Sequence, residues 1–245
     1  MAVSPIAKTM AEPLVEVRGL AKAFGGREVV CDVTIRLVAG DLLGLVGANG
    51  GGKTTTLRML AGLVTPDTGS GTVLGAAIRA GRIDRRRIGY MSQRLALYPE
   101  LTVIENLHFH GQVHGLPRTA AGDALTRFGL EAVTAQRFGT LSGGWARRVQ
   151  FAASVLHAPP LLLLDEPTAG LDAVTRAALW GWIMQFAGTG SAVVVSTHDL
   201  AEAERLPQIM LYHDGRASAR TTPAAMIGAA GATSLEAAVL ARAQA

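Results

Sequence analysis

The chain has 245 residues, 49% of them hydrophobic, which supports a substantial core in one large domain or a domain with an inserted lobe and excludes disorder. One cysteine, Cys31, excludes an intrachain disulfide and agrees with a reducing cytoplasm, and its strand-like neighbours mark it as core. Net charge is +4, with Lys8, Lys22 and Lys53 the only lysines; such an arginine-based surface suits nucleic acid, anionic lipid or an acidic partner, and equally a GC-rich coding bias.

Residues 1–12 read as a flexible lead, and Met1 to Met10 lacks the apolar core of a signal peptide. Leu14–Arg18 and Val29–Val38 alternate apolar and polar residues as strands do. Between them, Phe24 precedes Gly25-Gly26. Leu42–Val46 is a buried strand, and Thr55–Ala61 a helix. Joining these two is Gly47-Ala48-Asn49-Gly50-Gly51-Gly52-Lys53-Thr54, which fits G-x-x-x-x-G-K-[ST]. Glycines let successive N–H groups turn inward around an anion, and the helix N-terminus adds partial positive charge. Lys53 can reach β- and γ-phosphates, and the Thr54 hydroxyl can ligate Mg²⁺.

Ile88–Gln93 reads as a strand ending in a polar turn. From about Leu95 to Phe151 the pattern is mostly helical, with turns at Gly115-Leu116-Pro117 and Gly139. Leu141-Ser142-Gly143-Gly144-Trp145 lies inside that stretch; taken alone, a Ser-Gly-Gly run is an ordinary turn. Leu161–Leu164 is an apolar strand delivering Asp165 and Glu166. A carboxylate at the C-terminal end of a buried strand beside a P-loop suits Mg²⁺ coordination. No charged residue occurs from Ala177 to Thr197, but Gly188-Thr189-Gly190-Ser191 interrupts the run, so it reads as a helix (Ala177–Ala187), a turn and a strand (Ala192–Ser196) and not as a membrane span. Continuous apolar strands point to a parallel sheet covered on both faces. Ile209–Tyr212 leads into a hairpin turn at His213–Arg216, and an Ala-rich tail over 221–245 carries two weak helical patches.

These motifs, in this order, resemble the nucleotide-binding subunit of an ATP-binding-cassette (ABC) transporter over nearly all of Leu14 to Arg216. The resemblance implies an α/β fold: a P-loop NTPase core with a mainly parallel sheet, an N-terminal antiparallel β lobe and an inserted helical lobe at about 95–151, with the ATPase domain over 13–220. It implies ATP and Mg²⁺ as cofactors. Gly47, Asn49, Gly50, Gly51, Gly52, Lys53, Thr54 and Thr55 would cradle phosphate, and Thr54, Gln93 and Asp165 would serve the metal. Glu166 would activate the attacking water, since water is a poor nucleophile; Gln93 would contact metal and water; His198, in Ser196-Thr197-His198-Asp199, would bond the γ-phosphate and steady Glu166. Phe24 matches the aromatic that stacks on adenine. Ser142, Gly143 and Gly144 match the family's signature loop, and Ala169-Gly170-Leu171-Asp172 a loop at the dimer interface. The signature loop would serve ATP held by the other subunit, so two chains would sandwich two ATPs head to tail, with Asp172 also counted among the nucleotide-binding residues.

The chain departs from the family pattern at Ala48, where proline is frequent, and at Trp145, where glutamine is common. His108, His110, His114, His157 and His213 lack metal-site spacing and read as ordinary. The stretches Tyr90–Gln93, Leu97–Thr102, Gly115–Pro117 and Thr233–Glu236 are similar to ATPase subunits of ABC-2-type exporters, including multidrug exporters. This implies a homodimer, or a pair with a related ATPase subunit, on the cytoplasmic face of the inner or plasma membrane. A separate permease would dock on Leu95–Asn106. No nucleic acid is expected. Two alternatives are an importer ATPase, which usually carries a regulatory extension, and a soluble ABC ATPase acting on nucleic acid or ribosomes, which usually fuses two cassettes or inserts a coiled coil.

Overall fold

The computed structural model describes residues 12–79 and 83–243. All but the last residue of the expected N-terminal lead lies outside them. In chain order the elements are β1 (Val15–Phe24), β2 (Arg27–Leu37), β3 (Leu42–Gly47), α1 (Lys53–Leu60), β4 (Thr68–Val73), β5 (Ala76–Ala77) and β6 (Ile88–Met91). Then follow α2 (Val103–Val113), α3 (Thr119–Arg127), α4 (Gly143–Val155), β7 (Leu161–Asp165), α5 (Ala173–Gly188), β8 (Ala192–Thr197), α6 (Leu200–Ala203), β9 (Gln208–His213), β10 (Arg216–Ala217), α7 (Pro223–Ala229) and α8 (Leu235–Ala243).

The strands run in the order β5-β4-β1-β2-β10-β9-β3-β8-β7-β6. β9, β3, β8, β7 and β6 are mutually parallel. β5, β4, β1 and β2 form an antiparallel lobe, joined to the parallel part through the short β10. The apolar strands fill both faces of the sheet, as their unbroken runs require. Leu42, Val46, Leu162, Leu164, Val193 and Val195 face one core; Leu43, Leu45, Leu161, Leu163, Ala192 and Val194 face the other. Each such Leu or Val, excluded from water, contributes about 1.5–3 kcal/mol.

Capping explains several helix boundaries. Thr102 and Glu105 form a reciprocal capping box at the start of α2. Asp172 accepts from the N–H groups of Val174 and Thr175, so α5 starts at Ala173, four residues before the apolar pattern suggests. β1 runs on to Phe24 through register shifts that blur its alternation. β4 has no counterpart in the sequence pattern, because Thr-Gly-Ser-Gly-Thr shows no alternation; the edge of β1 recruits it. The helical patches beyond residue 221 are α7 and α8, whose Met226, Leu235 and Ala238 are buried in the same core as β3 and β8.

Phe128 and Phe151 of the helical lobe pack edge-on and stacked with Trp182 of α5, with ring centroids 5.0–5.8 Å apart. The Arg148 guanidinium lies 4.4 Å from the Trp145 ring centre and 5.5 Å from that of Trp182. The tryptophan that departs from the family pattern is thus half-buried in a cation–π stack.

Candidate active site

The loop between β3 and α1 is shaped by close backbone approach. Gly52 has φ +103°, and a Cβ there would sit 2.5 Å from the Val29 carbonyl oxygen. Among the described residues no side chain caps α1, whereas Thr102, Asp172, Asp199 and Thr222 cap α2, α5, α6 and α7. The first N–H groups of α1 therefore remain available to an anion. Residues Asn49 to Thr55 line a cleft of about 240 Å³ with Gln93 and Glu166. Lys53 is buried; its Nζ donates to the carbonyls of Gly47 (2.6 Å) and Ala48 (2.9 Å). Burial pulls its pKa down, against the opposing charges of Glu166 and Asp165.

Parallel pairing of β7 with β8 sets Asp165 opposite Ser196. Asp165 is 1% exposed. Its Oδ1 accepts from Thr54 Oγ1 (2.9 Å) and Ser196 Oγ (2.7 Å), while its Oδ2 is buried with no hydrogen-bond partner among the described residues. A buried carboxylate oxygen left open beside a threonine hydroxyl is the oxygen donor set that a hard divalent cation takes.

Glu166 adopts φ +47°, a strained setting for a residue with a Cβ, and its N–H donates to Ser196 Oγ at 3.0 Å. Gln93 Nε2 donates to Glu166 Oε2 at 3.1 Å. Glu166 Oε1 lies 3.3 Å from His198 Nδ1 and 3.9 Å from Lys53 Nζ. One carboxylate thus gathers a glutamine, a histidine and a lysine from three separate stretches of chain.

The remaining expected residues lie elsewhere on this chain. Phe24, at the end of β1, is 50% exposed, with Lys22 Nζ 5.4 Å from its ring centre. Ser142 and Gly143 are exposed at the start of α4, where the serine hydroxyl makes no capping bond. Beside them is Asp172: a Cβ on Gly144 would meet Asp172 Oδ2 at 3.7 Å. The signature loop and Asp172 therefore form one surface, outside the lining of the phosphate cleft.

Sequence reasoning missed Ser196 as a site residue. A serine closing an apolar strand looks like strand punctuation until the register puts it against Asp165. It also missed Glu202, buried on α6, which accepts from Thr168 Oγ1 (2.9 Å) and Thr197 Oγ1 (3.1 Å) and so ties the turn after Glu166 to the segment before His198.

The profile of the family described as ABC transporter matches residues 30–169, which span the P-loop, Gln93, the signature loop, Asp165 and Glu166. The chain belongs to this family. It is an ABC-type cassette. A second profile, an AAA domain described as a putative AbiEii toxin of a type IV toxin–antitoxin system, matches residues 136–204. The probable multidrug ABC transporter ATP-binding protein YbhF of Escherichia coli (strain K12) is 37% identical over 221 residues, 88% of this chain but 38% of that protein. This cassette therefore spans well under half the length of that relative. The Nod factor export ATP-binding protein I of Paraburkholderia xenovorans is 36% identical over 224 residues, 89% of this chain and 74% of that protein. A solved dimeric ATP-binding cassette in a post-hydrolysis state, bound to ADP and Pi, superposes with a TM-score of 0.77 at 25% identity, over 85% of this chain and 98% of that one.

Proposed function

We propose that this cassette hydrolyses ATP with Mg²⁺ as a head-to-tail dimer and powers an ABC exporter from the cytoplasmic face of the membrane. The observation that carries this reading is the Glu166 carboxylate, held at once by Gln93 and His198 beside an Asp165 oxygen that has no hydrogen-bond partner among the described residues. The N–H groups of Asn49 to Thr55 bind phosphate and Lys53 balances its charge. Thr54, Asp165 and Gln93 would hold Mg²⁺, which supplies neutralisation of phosphate charge. Glu166 takes the proton of the attacking water. His198 orients that carboxylate, and the backbone strain at Glu166 is sustained by Ser196.

Two observations support the dimer: Ser142–Gly144 and Asp172 share a surface outside this chain's own phosphate cleft, and a solved relative is dimeric. Phe24 is exposed at the strand end and free to stack on adenine. Export is supported by the relatives named for multidrug transport and Nod factor export. The permease docks on Leu95–Asn106, where Leu95 and Tyr98 are half exposed and Tyr98 packs edge-on against Phe109 with ring centres 5.0 Å apart. Buried Asn106 fixes this segment, accepting from Tyr98 N–H and donating to the carbonyls of Tyr98, Leu101 and Thr102. No helix among the described residues is long and apolar enough to cross a membrane; the membrane path belongs to the permease.

The test is the Glu166→Gln variant studied by light scattering with and without ATP·Mg²⁺. It should bind ATP, turn over at least about 100-fold more slowly and accumulate as a dimer only with ATP. Unchanged turnover would remove Glu166 as the base. ATP binding without any dimer would overturn the sandwich.

A further inference from the structure

Gln93 reaches Glu166 from an irregular turn that follows β6, and that turn is held by side chains of α4. The Arg147 guanidinium, 9% exposed, donates through Nη1 to the Ser92 carbonyl (3.1 Å) and through Nη2 to the Gln93 carbonyl. One helical turn on, Gln150 is 4% exposed. Its Nε2 donates to the Arg94 carbonyl (2.9 Å) and to the Ser92 carbonyl (3.3 Å), while its Oε1 accepts from Arg147 Nη1 (3.3 Å). Three successive carbonyls are thus gripped by two side chains three residues apart on one helix face. The fork of a guanidinium suits two neighbouring carbonyls in a way that a lysine ammonium does not. Burial pulls the Arg147 pKa down, and the charges of Asp165 and Glu166 oppose this.

α4 also begins at the signature loop, with Ser142 as its N-cap. A shift of α4 therefore carries the backbone of Gln93 with it, and Gln93 is bonded to Glu166. We infer that Arg147 and Gln150 are positioning residues that lock the Gln93 turn to the signature helix, so that the placement of that helix sets the geometry of the Glu166 carboxylate. This rests on the proposed ATPase role of Glu166 and adds to it a coupling element outside the lining of the phosphate cleft.

Steady-state ATPase assays on Arg147→Met, Arg147→Lys, Gln150→Leu, Gln93→Ala and the Arg147→Met/Gln93→Ala double variant test the inference, with thermal unfolding measured alongside. Misplacing a reacting group by an ångström costs on the order of 100-fold. Arg147→Met should therefore lose about 10- to 100-fold in kcat with KM for ATP unchanged within about 3-fold. Arg147→Lys should recover part of the loss. Because Arg147 acts through Gln93, the double variant should be within about 2-fold of Gln93→Ala alone. Losses that multiply in the double variant, a change confined to KM, or wild-type kcat in Arg147→Met would each overturn the inference. If Arg147→Met does not fold, Gln150→Leu decides it by the same non-additivity with Gln93→Ala. A wild-type cassette that does not hydrolyse ATP would instead overturn the proposed function, and the inference with it.

Discussion

Replacing Gly52 by alanine should damage both the fold and ATP binding, for reasons that can be separated. At φ +103° a residue with a Cβ sits in a sparsely populated backbone region, a strain of about 1–3 kcal/mol. The added Cβ would also lie 2.5 Å from the Val29 carbonyl oxygen and 3.3 Å from Val30 Cγ2. A carbonyl of β2 cannot rotate away as a flexible side chain would, so the strand and the loop must part, an overpacking strain of about 1–3 kcal/mol more. Together these amount to about 2–6 kcal/mol, a fall of roughly 5–20 °C in Tm for a domain of this size. Gly50 provides the control: its φ is +82°, but a Cβ there meets nothing within 4 Å among the described residues. Gly50→Ala should show only the backbone strain. Thermal unfolding by circular dichroism, with titration of a fluorescent ATP analogue, measures both effects. Unfolding of Gly52→Ala within about 2 °C of Gly50→Ala would show that the contact with β2 is not what requires glycine, and the reasoning would fail.

Other outcomes follow from single contacts. Ser196→Ala removes one of two donors to Asp165 Oδ1 and the acceptor of the Glu166 N–H; urea unfolding should show a loss of about 1–3 kcal/mol, with kcat falling more than KM rises. Leu235 is fully buried, and Leu235→Ala should destabilise by about 2–4 kcal/mol in the same assay. A loss under about 0.5 kcal/mol would mean that α8 is not part of the folding unit. Burial, with His114 stacked 3.7 Å away, holds the His157 pKa at about 4, below its usual 6.5. The neutral ring is favoured in the fold, so its contribution is intact above pH 6.5 and is lost as pH falls from 6.5 towards 4. Allowing for partial exposure, wild type should lose about 1 kcal/mol more than His157→Phe between pH 7 and pH 4.5, checked by chemical unfolding at both values. Glu100→Arg, on the exposed segment beside Tyr98, should leave basal ATPase unchanged and lower permease-dependent transport; full transport would remove Leu95–Asn106 as the docking surface.

Much of the phosphate site is local in the chain. The eight residues from Gly47 to Thr54 join β3 to α1 as one contiguous run, so the strand, the glycine-rich loop and the helix it opens were legible in the sequence alone. Asp165 and Glu166 were legible for a related reason, since the apolar run before them marks the C-terminal edge of a buried strand. The order of these motifs determined the family. Partnership was not legible. That Asp165 meets Ser196, that Gln93 and His198 converge on Glu166, and that Arg147 and Gln150 grip the turn at Gln93 depend on strand register and helix placement across separations of 31 to 73 residues. The pairing of β4 and the burial of α8 escaped the sequence because a Gly-Ser-Thr run shows no alternation and an Ala-rich helix, though favoured by propensity, does not say which face is covered; the neighbouring strands and core decided both.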